Sequence, residues 1–71
     1  MEKQELQIMI GANIVKIRQG KGLKQYELAD KINIEDSALR RIEKGRTNVS
    51  IWMLYRIAEA LSVPVSELLR M

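Results

Sequence analysis

Apolar residues recur every three or four positions along most of this chain, the spacing that places them on one face of an α-helix. Five helices and no strand are therefore predicted. Their expected bounds are about Lys3–Arg18, Gln25–Lys31, Asp36–Lys44, Ser50–Leu61 with Ser50 as the N-cap, and a short helix with Pro64 in its first turn that ends near Leu69.

The first predicted helix has the clearest apolar face. Leu6, Ile10, Ile14 and Ile17 follow one another at helical spacing, and we expect all four to point into a core. Gly20 and Gly22 follow this helix and should end it, as Gly45 should end the third.

The segment Gln25–Gly45 contains two short helical patterns separated by a break that leaves room only for a sharp turn. Ala29 is small where two crossing helices would otherwise collide. Asn33 lies at the break, and asparagine is the residue after glycine that best tolerates a left-handed backbone. This is the layout of a helix-turn-helix, in which the second helix reads DNA.

Further motifs extend this layout over nearly the whole chain. They are Ile10-Gly11, Ile14-x-x-Ile17-Arg18, Leu23-x-Gln25-x-x-Leu28-Ala29, Ile42-Glu43-x-Gly45, Ser50-Ile51, Leu54-x-x-Ile57-Ala58-x-Ala60-Leu61-x-Val63 and Glu67-Leu68-Leu69. In this order they resemble the phage-repressor (Cro and XRE-like) family of small bacterial DNA-binding domains, from about Ile8 to Leu69. The resemblance implies an all-α, five-helix, lambda-repressor-like domain whose second and third helices form the helix-turn-helix.

Composition limits the other possibilities. Seventy-one residues make one domain with a small core, and the chain has neither Cys nor His. Disulfides, thiolate metal sites and the commonest general base are therefore excluded, and we expect no metal, no cofactor, no small-molecule effector and no enzymatic activity. No apolar run approaches the length of a membrane span and no signal peptide is visible, so a cytoplasmic protein is expected.

The charge is uneven along the chain. The net charge is +3, but residues 16–46 carry nine basic and five acidic side chains, a net +4, and the remainder sums to −1. A positive middle suits a phosphate-facing surface, although a solvated charged surface would give the same count.

One face of the third predicted helix lies opposite Leu39 and Ile42. The base-reading candidates on this face are Asp36, Ser37, Arg40 and Arg41. Arg40 and Arg41 are favoured, because arginine can donate two hydrogen bonds to guanine. The alternatives for both are a phosphate contact or a solvated surface charge.

Glu35 and Asp36 depart from the family pattern, which often has Ser, Thr, Gln or Arg at the start of this helix. Two carboxylates there favour the helix dipole but meet the negative field of DNA. We expect them to cap the helix and point away from DNA; the alternative is that one accepts a hydrogen bond from cytosine.

The family also implies contacts to DNA phosphates on both sides of the third helix. The phosphate candidates are Lys24, Gln25, Lys44, Arg46, Asn48 and Trp52. Gln25 opens the second helix, where unpaired backbone N–H groups face the same anion; otherwise it is a solvated residue. Trp52, expected on the side of the fourth helix away from Ile51, has three interpretations: a phosphate contact, a dimer contact, or a half-buried position against the third helix.

Two further sets of residues have structural roles in the family. Arg18 and Glu43 match an ion pair that joins the first helix to the third. The dimer candidates are Tyr55, Val63, Val65, Leu68 and Leu69. The alternative is a monomer whose C-terminal apolar side chains all fold inward.

The resemblance thus implies a homodimer that binds double-stranded DNA at a two-fold symmetric operator, as a minimal repressor or a restriction–modification controller does. A protein of another class also fits the acidic start of the third helix: an antitoxin-like module that uses the same fold to bind a protein partner.

Overall fold

The computed structural model describes residues 1–71. It contains four α-helices and a final 3-10 helix, and no strand. The bounds are α1 Lys3–Gly20, α2 Gln25–Lys31, α3 Asp36–Glu43, α4 Ile51–Leu61 and the 3-10 helix Val65–Leu69. The all-α prediction is confirmed, and the predicted bounds of α2 and α4 match those observed.

The core is aliphatic and receives side chains from every element. Its buried members are Ile10, Ile14, Leu28, Ala29, Ile32, Leu39, Ile42, Leu54, Ile57, Ala58, Leu61 and Leu68. Burying one of the larger of these side chains stabilises the fold by about 1.5–3 kcal/mol. Helix α1 packs against α3, and α4 packs against α2. These two contacts fix the orientation of the helix-turn-helix on the rest of the domain.

The turn between α2 and α3 has the geometry expected from its sequence. Asn33 has a φ of 55°, in the left-handed region. The chain reverses there, and the backbone N–H of Ile34 donates to the carbonyl of Ala29 at 3.0 Å. Ala29 is completely buried. The predicted left-handed asparagine is confirmed, and the burial of Ala29 agrees with a small residue between the two helices.

The first helix crosses the end of α3 at very short range. A Cβ atom added at Gly11 would lie 2.5 Å from the carbonyl oxygen of Glu43 and 2.6 Å from that of Ile42. Gly11 is within α1, where glycine is unfavourable by about 1 kcal/mol relative to alanine. Close backbone packing therefore explains a glycine at this position.

Three details of the predicted helices are wrong. Helix α1 continues past Arg18, because Gly20 keeps a helical backbone and the chain leaves the helix only near Gly22, whose φ is 74°. Leu6 is 39% exposed, although it continues the apolar spacing of α1.

The last element is a 3-10 helix and not a fifth α-helix, and Pro64 is its N-cap. Five residues leave room for few α-helical hydrogen bonds, and the N–H of Glu67 instead donates to the carbonyl of Pro64 at 3.0 Å, three residues back. This end of the chain is tied to α1, since Nδ2 of Asn13 donates to the carbonyls of Leu68 at 2.9 Å and Arg70 at 2.8 Å.

None of the helices combines the length and the apolar character that crossing a membrane requires.

Candidate nucleic-acid interface

Helix α3 presents a polar face to solvent. Leu39 and Ile42 are buried against the body of the domain. The side chains on the opposite face are all exposed: Asp36, Ser37, Arg40, Arg41 and Lys44. The structure therefore places every base-reading candidate where a major groove could receive it, at the three- and four-residue spacing of one helix face.

The basic residues of this region have no acidic partner within the chain. The ion pairs of the structure are Arg18–Glu43 and Arg70–Glu67. The side chains of Arg40, Arg41, Lys44 and Arg46 are exposed and unpaired. Their positive charge is thus available to an anionic ligand, and interaction with phosphates would not first require breaking an internal pair.

The two acidic residues at the start of α3 are also exposed. Glu35 is the N-cap residue, with an extended φ of −67° and ψ of 147°, but its side chain makes no capping hydrogen bond. The expectation that Glu35 caps the helix through its side chain is therefore wrong, because glutamate is longer than the residues that fit this geometry. Asp36 lies in the first turn, where its charge favours the helix dipole.

The N-terminus of α2 adds a second set of groups. Lys24 is the exposed N-cap residue, and its backbone N–H donates to Oε1 of Glu27 at 2.8 Å. Because the lysine side chain has no acceptor, this contact from Glu27 is the half of a capping box that the sequence allows. The ammonium group of Lys24 remains exposed beside the helix N-terminus.

Gln25, the first residue of α2, is half-buried and joins a network with Arg18 and Glu43. Nε of Arg18 donates to Oε2 of Glu43 at 2.8 Å, and its NH2 group to Oε1 at 3.1 Å. Nε2 of Gln25 donates to the same Oε1 at 2.8 Å. The arginine also donates to the carbonyl of Leu23 at 2.9 Å. The predicted ion pair is present and is almost completely buried.

This network changes the interpretation of Gln25. A solvated first-turn residue would have no partner, whereas this side chain is held by a carboxylate. Its amide group has two N–H bonds, and the bond to Glu43 uses one of them. The second N–H forms no hydrogen bond within the chain.

The loop between α3 and α4 alternates exposed polar and half-buried residues. Lys44, Arg46 and Asn48 are exposed, whereas Thr47 and Val49 are half-buried. At the end of this loop, Oγ of Ser50 accepts a hydrogen bond from the backbone N–H of Met53 at 3.0 Å, so the predicted N-cap is confirmed.

Trp52 is not half-buried against α3, since 66% of its surface is exposed. Its ring stacks on Tyr55 with centroids 5.7 Å apart. Ile51 does not lie on the opposite, inner side of α4; it is 86% exposed beside Trp52, because it is the first residue of the helix. Ile51, Trp52 and Tyr55 form an exposed apolar surface, called the α4 patch below.

The dimer candidates divide into three groups. Leu68 is completely buried in the core, so its assignment as a dimer contact is wrong: the 3-10 helix turns it inward. Val63 and Val65 are partly buried and pack against the core. Tyr55 and Leu69 remain largely exposed.

Sequence reasoning missed Ile51 as a surface residue and the bond between Gln25 and Glu43. The periodicity of α4 could not predict the exposure of Ile51. A residue in the first turn can lie at helical spacing from the core residues and still have no other element packed against it. The hydrogen bond from the backbone of Lys24 to Glu27 was also missed. It could have been predicted, since a glutamate three residues after an N-cap is typical of a capping box.

Comparisons with known proteins all lead to one class. The family model described as "Helix-turn-helix" matches residues 14–68. An uncharacterised HTH-type transcriptional regulator, y4dJ of Sinorhizobium fredii, is 33% identical over 64 residues, 90% of this chain and 83% of that protein. The immunity repressor of Bacillus phage phi105 is 40% identical over 57 residues, 80% of this chain and 40% of that protein.

A solved structure gives the same result. The crystal structure of the restriction–modification controller protein C.AhdI from Aeromonas hydrophila has a TM-score of 0.82 to this chain at 31% identity, and the match covers 86% of this chain and 92% of that one.

Proposed function

Because this chain belongs to the Cro/C1-type (XRE-like) helix-turn-helix family of transcriptional regulators, we propose that it binds a two-fold symmetric DNA operator as a homodimer. In this proposal α3 enters the major groove, and the α2 N-terminus and the loop after α3 hold the sugar–phosphate backbone on either side.

The observation that carries the proposal is the exposed basic face of α3 and its loop. Arg40 and Arg41 lie on the face of α3 away from the buried residues Leu39 and Ile42, and Lys44 and Arg46 follow in the loop. All four basic side chains are exposed, and none of them forms an ion pair within the domain. This face supports a function that needs fixed positive charge, and DNA supplies the complementary phosphates.

Within this face we assign base reading to Arg40 or Arg41. Each arginine can donate two hydrogen bonds to guanine in the major groove, and such a pair contributes about 1–3 kcal/mol of discrimination against another base. Asp36 and Ser37 begin the helix and would approach the same base pairs. Lys24, Gln25, Lys44, Arg46 and Asn48 are assigned to phosphates.

The dimer in this proposal uses the α4 patch together with Leu69. Ile51, Trp52 and Tyr55 are three large apolar side chains at positions i, i+1 and i+4, and all three are exposed. A contiguous exposed apolar patch of this kind often marks a surface that binds another protein. Aromatic residues are enriched where protein surfaces associate. To read two half-sites, such a dimer must hold its α3 helices about 34 Å apart, one turn of DNA.

The proposed activity is repression or control of a small set of promoters. C.AhdI is a restriction–modification controller, and the phage phi105 protein is an immunity repressor. We propose the same kind of activity for this chain.

One observation favours a second function. Glu35 and Asp36 are exposed and unpaired at the end of α3 that would meet DNA first. Two carboxylates there suit a basic surface of a protein partner, as in an antitoxin-like module.

The deciding experiment selects bound sequences from a random DNA pool and then measures affinity over a range of salt. We expect one palindromic sequence and an affinity that falls steeply as salt increases. If no DNA sequence is enriched and the chain shows no salt-dependent binding to DNA, the protein-partner function is favoured.

Dimerisation is tested separately by sedimentation of the double variant Trp52→Ala/Tyr55→Ala. Tyr26→Ala is the matched control, because Tyr26 is an equally exposed aromatic residue on α2. The double variant should be monomeric where the control and the unmodified chain are dimeric. A monomeric unmodified chain would contradict the homodimer.

A further inference from the structure

A groove lies between the first turns of α1 and the loop that follows α3. Its volume is 570 Å³, and three basic side chains line it: Lys3 from α1, and Lys44 and Arg46 from the loop. Two amide side chains of α1, Gln4 and Gln7, lie between them. The three basic side chains can only donate hydrogen bonds, and each amide side chain has one NH2 donor group and one acceptor oxygen.

The two walls of this groove are held together by direct contacts. Nε2 of Gln7 donates to the carbonyl of Gly45 at 3.1 Å. Gly45 has a φ of 73°, and a Cβ atom added there would lie 2.6 Å from Cα of Ile8. The loop backbone therefore packs directly on α1, and the position of the groove relative to α3 is fixed by the fold.

No carboxylate lines the groove. The nearest acidic residues in sequence are Glu2, Glu5 and Glu43. The carboxylate of Glu43 is buried and accepts hydrogen bonds from Arg18 and Gln25, and that of Glu5 accepts a hydrogen bond from the backbone N–H of Glu2 at 3.1 Å. Glu5 lies about 200° round α1 from Lys3, so it faces away. None of the three basic side chains takes part in an ion pair. The only charged groups in the lining are therefore positive.

We propose that this groove binds a phosphate group of the DNA backbone, next to the phosphates held by the loop after α3. The inference rests on the proposed function and extends it, because Lys44 and Arg46 already belong to the proposed DNA surface and the groove continues that surface onto α1. The helix-turn-helix match begins at residue 14, so Lys3 lies outside the matched segment. The contact would be an addition made by the first turns of α1.

Lys3→Ala tests the contact, and Lys16→Ala is its matched control. Both residues are exposed lysines of α1, but Lys16 lies about 140° round the helix from Lys3 and lines a separate depression with Glu67 and Arg70. Both substitutions remove one positive charge from an exposed helical position. Thermal unfolding followed by circular dichroism should show the same fold in both.

The measurement is the slope of log affinity against log salt concentration on the duplex preferred by the unmodified chain. Lys3→Ala should reduce this slope by about 0.9 per subunit and lower the affinity several-fold, whereas Lys16→Ala should leave both unchanged. Ethylation interference should then reveal one phosphate in each half-site whose ethylation weakens binding by the unmodified chain and by Lys16→Ala but not by Lys3→Ala.

Equal slopes for the two variants, on a duplex that the unmodified chain binds tightly, would overturn the groove contact and leave the proposed function standing. Absence of salt-dependent binding by the unmodified chain would overturn both. Titration with inorganic phosphate, followed by NMR, separates the two sources of the anion: phosphate binding lost in Lys3→Ala without any change in the DNA slope would identify a free-anion site and also overturn the proposal.

Discussion

Gln25 and Glu43 are joined by a hydrogen bond of 2.8 Å between Nε2 and Oε1, although they are eighteen residues apart in the sequence. The same carboxylate receives two bonds from Arg18. One buried side chain at the end of α3 therefore connects the end of α1 to the first residue of α2. The network sets the orientation of the recognition helix and of the proposed phosphate contact at the same time.

Glu43→Ala should lower the free energy of unfolding by about 3 kcal/mol, because it leaves the guanidinium of Arg18 buried without its charged partner. Urea unfolding measures the change. The control is Glu67→Ala, which removes the exposed ion pair with Arg70 and should cost about 0.5 kcal/mol or less. Similar losses in the two variants would mean that burial does not distinguish the pairs.

Gly11→Ala should destabilise the domain by about 1–3 kcal/mol, although alanine is the better helix former. The added methyl group would meet the carbonyl oxygens of Ile42 and Glu43, and backbone cannot move aside as a flexible side chain can. Gly20→Ala is the matched control, since nothing lies within 4 Å of a Cβ there. It should be neutral or stabilise by up to about 1 kcal/mol. Thermal unfolding of both variants tests the close approach.

The sequence was sufficient for the parts of the fold that depend on local pattern. Asn33 could be assigned to the turn because few residues tolerate its backbone conformation, and the exposed face of α3 followed from the spacing of Leu39 and Ile42. The pair Arg18–Glu43 came from the family resemblance, since nothing local to either residue indicates the other.

The errors about burial concern neighbours that are distant in sequence. Leu68 and Leu69 are adjacent apolar residues, and only the packed structure shows that the first is buried and the second exposed. Leu6 continues the periodicity of α1 but is 39% exposed. Periodicity identifies a face of a helix, whereas burial depends on whether another element reaches that face.

Arg41→Ala should weaken binding to the preferred DNA sequence by about 1–3 kcal/mol and relax specificity at one base pair in each half-site. Its unfolding should remain nearly unchanged, because the side chain is exposed and unpaired. Binding to a panel of single-base operator variants measures the effect. Lys31→Ala, a charge change at an exposed position on α2, serves as the control. Equal weakening on every sequence would show that Arg41 contacts phosphate and reads no base.

The double variant Glu35→Ser/Asp36→Ser gives the sharpest test of the recognition surface. Stability should change little, because serine at position 35 supplies the N-cap acceptor that Glu35 does not, while the favourable charge at the helix N-terminus is lost. Affinity for random-sequence DNA should rise in salt titrations, since two negative charges per subunit leave the neighbourhood of the phosphates.

The control for this variant is Asp30→Ser/Glu59→Ser, which removes the same charge from exposed positions on α2 and α4. A long-range effect of net charge would raise the affinity of both double variants equally, whereas a local effect raises it only at the start of α3. If the preferred operator alone is bound more weakly by the first variant, one of the two carboxylates accepts a hydrogen bond from cytosine. If neither affinity changes, the face that begins with Glu35 and Asp36 does not meet DNA, and the protein-partner function becomes the better account of its charge.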